Sequence, residues 1–140
     1  MSDTITRVVF IKASRETVWS YLVDKDKLGE WYHPAERDLA IDKDYALFEE
    51  SSEDHKQIIW GRVLEMNRPQ LLITTFNIAP FNGIETKLTW VLKEAAGGSR
   101  VSLTHEGIAK ASGEAAMEML LFLKVGWDNH LEKLQRAIVE

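Results

Sequence analysis

The chain has 140 residues, with 17 Lys and Arg against 22 Asp and Glu and a formal net charge of −5. That length suits one domain, predicted over 1–140, and the 45% hydrophobic and 28% charged residues exclude a disordered chain. The absence of cysteine excludes disulfides, thiolate metal sites and cysteine nucleophiles, and acidity without a basic run argues against nucleic acid or anionic lipid as partner.

Thr4 to Lys12, rich in Thr, Val, Ile and Phe, reads as a strand. Ser14 is placed to cap a helix, with Glu16 in its first turn and Val18, Trp19 and Leu22 as its apolar stripe. Asp24-Lys25-Asp26 ends it. Leu28, Trp31 and Tyr32 then recur at spacing three and four, which predicts a second short helix before Pro34.

From Leu39 to Gly107 the period changes to two. Tyr45–Glu49, His55–Met66, Gln70–Ile78, Gly83–Lys93 and Ser99–Glu106 read as strands, separated by turn-forming segments. Among the separators are Pro80-Phe81-Asn82-Gly83 and the hairpin turn Ala95-Ala96-Gly97-Gly98. Short turns between consecutive strands imply an antiparallel meander. Ile84, Thr86, Leu88, Trp90 and Leu92 share one face of their strand, and Val101, Leu103 and His105 share one face of the next. One side of the sheet is therefore covered and the other solvated. The acidic run from Glu49 to Asp54 reads as a solvated hairpin tip.

Ser112 to Val139 reads as one long helix capped by Ser112. Ala116, Leu120, Leu123, Trp127, Leu131, Leu134 and Ile138 form its apolar stripe, widened by Met119 and Phe122. Only this helix is long enough to cover the sheet, which gives an α+β layer architecture. Residues 1–7 lack the basic and apolar regions of a signal peptide. The longest apolar run, Met119 to Leu123, falls far short of the ~20 residues of a membrane span. A cytoplasmic protein is expected.

Four pieces of this order resemble a known superfamily: Ala13-Ser14-Arg15-Glu16-Thr17-Val18-Trp19, Gly61-Arg62-Val63-Leu64-Glu65, Leu103-Thr104-His105-Glu106-Gly107, and Gly126-Trp127-Asp128-Asn129-His130-Leu131. The chain is similar to the SRPBCC superfamily of START and Bet v-like domains, and within it to the family resembling the activator of the heat-shock-protein-ninety ATPase. Ser14 stands where many relatives carry proline, and both residues suit a helix start. The resemblance implies a helix-grip fold, in which a curved antiparallel sheet wraps a long C-terminal helix, with two short helices after the first strand. It also implies a cavity between sheet and helix. Superfamily members bind lipids, sterols or polyketides there, some are cyclases or hydrolases, and the heat-shock type binds a chaperone.

Within such a cavity His105 could orient a ligand or act as a base, or it could be a buried histidine paired to backbone or to Glu65. Glu65 in a dry cavity would be an acid of raised pKa, or else a satisfied structural carboxylate. Trp60 and Trp90 are read as cavity walls or as core, and Met119 and Phe122 as ligand contacts from the helix. Gly126 interrupts the helix at a cost of ~1 kcal/mol, to allow close backbone approach, a kink that shapes the cavity mouth, or tight packing on the sheet. The four histidines, His33, His55, His105 and His130, show no metal-ligand spacing. There is no phosphate-binding glycine loop and no nucleophile elbow. These readings favour a cofactor-free, non-catalytic binding protein for small apolar, aromatic or lipid-like molecules. The alternatives are a co-chaperone-like interaction module with a chaperone partner, and a cyclase or hydrolase working through His105 and Glu65.

Overall fold

The computed structural model describes residues 3–49 and 56–139. Strand β1 (Ile5–Ile11) leads into helices α1 (Arg15–Val23) and α2 (Lys25–Trp31). Strands β2 (Asp44–Phe48), β3 (Gln57–Asn67), β4 (Leu71–Phe76), β5 (Thr86–Ala95) and β6 (Gly98–Glu106) come next, then a short helix α3 (Ile108–Ser112) and the long helix α4 (Ala116–Val139). The strands form one antiparallel sheet in the order β1-β6-β5-β4-β3-β2. The predicted meander runs from β2 at one edge through β6, and β1 forms the other edge beside β6. Residues 50–55, which hold most of the acidic run and the predicted start of the third strand, lie outside the described residues.

Local chemistry sets the boundaries. The Ser14 hydroxyl accepts from the Thr17 backbone N–H at 3.2 Å and caps α1. Asp24 ends α1, and its carboxylate accepts from the N–H groups of Asp26 and Lys27 to start α2. At the β5–β6 hairpin Ala96 and Gly97 both have positive φ, as a tight twisted turn requires.

Three expectations are corrected. The fifth strand begins at Thr86 rather than Gly83, because Asn82 and Gly83 both turn into the left-handed region. Ile84 consequently lies outside the strand and is exposed. The C-terminal helix starts at Ala116 rather than Ser112: Gly113, at φ 58°, separates α3 from α4. The Ser112 hydroxyl makes no capping bond. Instead, the Asp3 carboxylate accepts from the Ala109 N–H at 2.7 Å, tying α3 to the start of the chain.

The buried face of α4, Leu123, Trp127, Leu131 and Leu134, lies over Leu88, Trp90, Leu92, Val101 and Leu103 of the sheet. On β3 the register shifts between Val63 and Glu65. This bulge places an extra residue in the strand and breaks its alternation, so Leu64 and Glu65 are both exposed. Gly61 permits a close approach on the same strand. A side chain there would collide with the Thr75 carbonyl and the Tyr45 ring, and the Tyr45 hydroxyl donates to that same carbonyl at 2.5 Å. Among the described residues no helix is long and apolar enough to cross a membrane.

Candidate ligand-binding site

A cavity of about 470 Å³ opens between α4 and the β3–β4 side of the sheet. That is within the size range of small-molecule pockets. Ile58, Ile59 and Trp60 of β3, Phe76 of β4 and Ile78-Ala79-Pro80 after it form one wall, and Phe122, Leu123, Gly126, Trp127 and His130 of α4 form the other. Its polar groups are Tyr32, His33, Lys56, Gln57 and His130.

Tyr32 and His33 reach the cavity because α2 ends there. The Trp31 indole N–H donates to the Tyr21 carbonyl at 2.8 Å and fixes the end of α2. The Tyr32 ring stacks on Trp31 at 4.9 Å and leans on Trp127 at 5.5 Å. Its burial raises the phenol pKa well above 10, with Tyr45 adding to the rise, so the hydroxyl stays neutral. His33 and His130 meet with ring centroids 5.2 Å apart, and both pack on Tyr32. Burial lowers the His33 pKa, and the Lys133 ammonium lowers it further.

Gly126 is the feature that leaves room. A Cβ built on it meets no atom within 4 Å, so this glycine is not a site of tight packing. The helix interior instead carries a missing side chain where the cavity lies.

The sequence-predicted residues separate into two groups. Trp60 and Phe122 line the cavity. Met119 is partly buried against the core and is not part of the wall. Trp90 lies deeper, edge-on to both Trp31 and Trp127 at 6.0 Å, and shares a void of only about 30 Å³ with Tyr32. Tyr32 therefore divides Trp90 from the larger space. Glu65 is exposed beyond the β3 bulge.

His105 is fully buried beneath Trp127, and both its ring nitrogens are engaged. The Thr86 hydroxyl donates to the Phe76 carbonyl at 2.8 Å, so at 2.7 Å from it His105 Nε2–H is the donor. Nδ1 then accepts from the Trp127 indole N–H at 3.1 Å. This network fixes the neutral tautomer. Burial pushes the pKa down to about 3, against a smaller opposing pull from Asp3. The partners of His105 are Thr86 and Trp127, neither backbone nor Glu65, and the ring has no nitrogen left for a ligand.

Tyr32, His33, Lys56, Gln57 and His130 are the polar wall residues that sequence reasoning missed. His130 lies one helical turn after Trp127, a spacing that puts the two on one face. That was the available signal. His33 came with no periodicity at all, since it stands in the short link between α2 and Pro34.

Comparison with solved structures gives the same fold. CalU16 from Micromonospora echinospora superposes with a TM-score of 0.76 at 21% identity, over 97% of this chain and 76% of that one. DynU16, from the dynemicin biosynthetic locus, gives 0.79 at 17%, and this chain spans about half of it (97% of this chain, 47% of that one). The Aha1 dimer from Colwellia psychrerythraea gives 0.78 at 16%, over 96% of this chain and 95% of that one. At these identities the likeness establishes the helix-grip architecture and nothing finer. A search of curated proteins returns no significant match. The family model described as "Activator of Hsp90 ATPase homolog 1-like protein" matches residues 12–138, and the chain belongs to that family, within the SRPBCC superfamily.

Proposed function

We propose that this protein is a non-catalytic binder of small apolar, aromatic or lipid-like molecules, held in the cavity between α4 and the sheet. The observation that carries this reading is a 470 Å³ space whose walls are Trp60, Phe76, Trp127 and branched aliphatics, left open by the absent side chain of Gly126. Burying an apolar ligand against such walls contributes ~25 cal/mol per Å² without any reacting group. The place of DynU16 in a biosynthetic locus, that of dynemicin, supports the same reading for a chain of the same fold. The residues named for a cyclase do not favour that alternative, since Glu65 is exposed and His105 is sealed. The test is displacement of a bound fluorescent apolar dye by fatty acids, flavonoids and aromatic polyketides. Competitive displacement from the parent and no dye binding to Gly126→Leu are expected. Equal dye binding by both would remove the cavity from consideration.

A second reading, a protein-interaction module of the chaperone-activator kind, is favoured by exposed apolar side chains. Met117, Leu121 and Val125 recur every four residues on the outside of α4, and Val8 and Phe10 are exposed on β1. A purified chaperone ATPase that is stimulated by the parent but not by Leu121→Asp or Phe10→Asp would favour it. An ATPase rate unchanged by the parent would end it.

A further inference from the structure

The fold treats the three tyrosines of the chain differently. The Tyr21 hydroxyl donates to the Ala137 carbonyl, and the Tyr45 hydroxyl to the Thr75 carbonyl. The two indoles that touch Tyr32 are engaged as well, Trp31 with the Tyr21 carbonyl and Trp127 with His105. Tyr32 is only 9% exposed, yet its hydroxyl has no hydrogen-bond partner among the described residues. A hydroxyl buried to this degree is normally paired, because leaving the bond unmade costs the desolvation of the group. Tyr32 lines the cavity, so a ligand held there can supply the partner.

The phenol is held in place before any ligand arrives. The Tyr32 N–H donates to the Leu28 carbonyl at 2.9 Å and closes the last turn of α2. The ring stacks on Trp31 at 4.9 Å, and Trp127 and His130 lie against it at 5.5 and 4.8 Å. A group fixed in this way loses little freedom when a ligand bonds to it. Burial also keeps the proton on the oxygen. A phenol donates better than it accepts, because its oxygen lone pair is shared with the ring. Its complement is a neutral acceptor, and the aromatic walls Trp60, Phe76 and Trp127 suit a flat ring system that carries one.

We propose that the occupant is a flat aromatic ketone whose carbonyl accepts a hydrogen bond from the Tyr32 hydroxyl. This rests on the reading of the cavity as a ligand site and names the group that orients the ligand. Three probes of one shape separate the two ideas: 9-fluorenone, 9-fluorenol and fluorene, with a carbonyl, a hydroxyl and a methylene at the same place. Tyr32→Phe removes the hydroxyl and keeps the ring. Calorimetric titration should show the variant binding fluorenone about fivefold more weakly than the parent, as the loss of one neutral hydrogen bond gives. Fluorene should bind equally to both. The infrared carbonyl stretch of fluorenone bound to the parent should lie below its value in an apolar solvent, and return to that value in Tyr32→Phe. A stretch in the parent equal to the apolar-solvent value, or fluorenone and fluorene affected alike by the substitution, overturns the hydrogen bond while leaving the cavity as a ligand site. A hydroxyl-dependent preference for fluorenol makes the phenol the acceptor and overturns the carbonyl. If none of the three binds to a parent that melts cooperatively, the ligand-site reading falls, and this proposal with it.

Discussion

A Cβ on Gly126 would enter open space, so substitutions there divide stability from binding. Gly126→Ala restores helix propensity worth ~1 kcal/mol and should raise the melting temperature by about 4 °C. Gly126→Leu should fill the cavity from its helix wall and abolish binding without unfolding the chain. Calorimetry and a ligand titration of the two variants check this, and a loss of stability in Gly126→Ala would show that the glycine is there for close packing. His105 gives the second residue-scale prediction. Its folded pKa of about 3 lies below the ordinary 6.5, so below pH 6.5 the unfolded chain takes up a proton that the folded one refuses. Its contribution is complete above pH 6.5 and is lost as pH falls toward 3, by about 1.4 kcal/mol per unit. Glutamine at this position does not titrate. The parent's melting temperature should therefore fall more steeply between pH 6.5 and 4.5 than that of His105→Gln. Parallel slopes would contradict the sealed network.

At the scale of the element, α4 is fixed to the sheet chiefly through Trp127. Its ring packs against Tyr32, Phe76 and Trp90, and its N–H bonds His105. Trp127→Ala should cost ~3–5 kcal/mol in lost packing. Trp127→Phe keeps much of the packing but leaves His105 Nδ1 without its donor, at ~1–3 kcal/mol. Denaturant melts of both variants test the order, and a Trp127→Ala midpoint equal to the parent's would contradict the role. On β3, Gly61→Ala would force a methyl group against Thr75 and Tyr45, an overpacking worth ~1–3 kcal/mol. A neutral melt there would show that β3 can shift away from β4.

The strands and α4 were legible from period alone, since Leu88, Trp90 and Leu92 alternate cleanly and Leu123, Trp127, Leu131 and Leu134 recur on one helical face. β3 was not legible in its facing. Its bulge between Val63 and Glu65 inserts a residue that no pattern announces, which is why Glu65 read as a candidate and is solvent-facing. The start of α4 was obscured by Gly113, whose positive φ breaks off the separate short helix α3, itself tied to Asp3 across the fold.

For the whole molecule, the layer of helix on curved sheet is dictated by the sequence pattern, whereas the identity of the site's polar groups is not. His33 and His130 are almost a hundred residues apart and meet only because the end of α2 and the middle of α4 converge on the β2–β3 edge. His105 stood out in the sequence because strand alternation buried it, and burial is what removes it from ligand chemistry. The central claim is that the space between α4 and β3 holds a small molecule. It is tested most directly by tracking backbone amide and indole N–H signals in a heteronuclear NMR titration with flavonoids, fatty acids and aromatic polyketides. A ligand in the cavity should move the Trp60 and Trp127 indole signals and the Gly126 amide, with the buried Trp19 indole unmoved. Silence at Trp60, Trp127 and Gly126 across the panel, with shifts confined to Val8, Phe10, Met117 or Leu121, would contradict it.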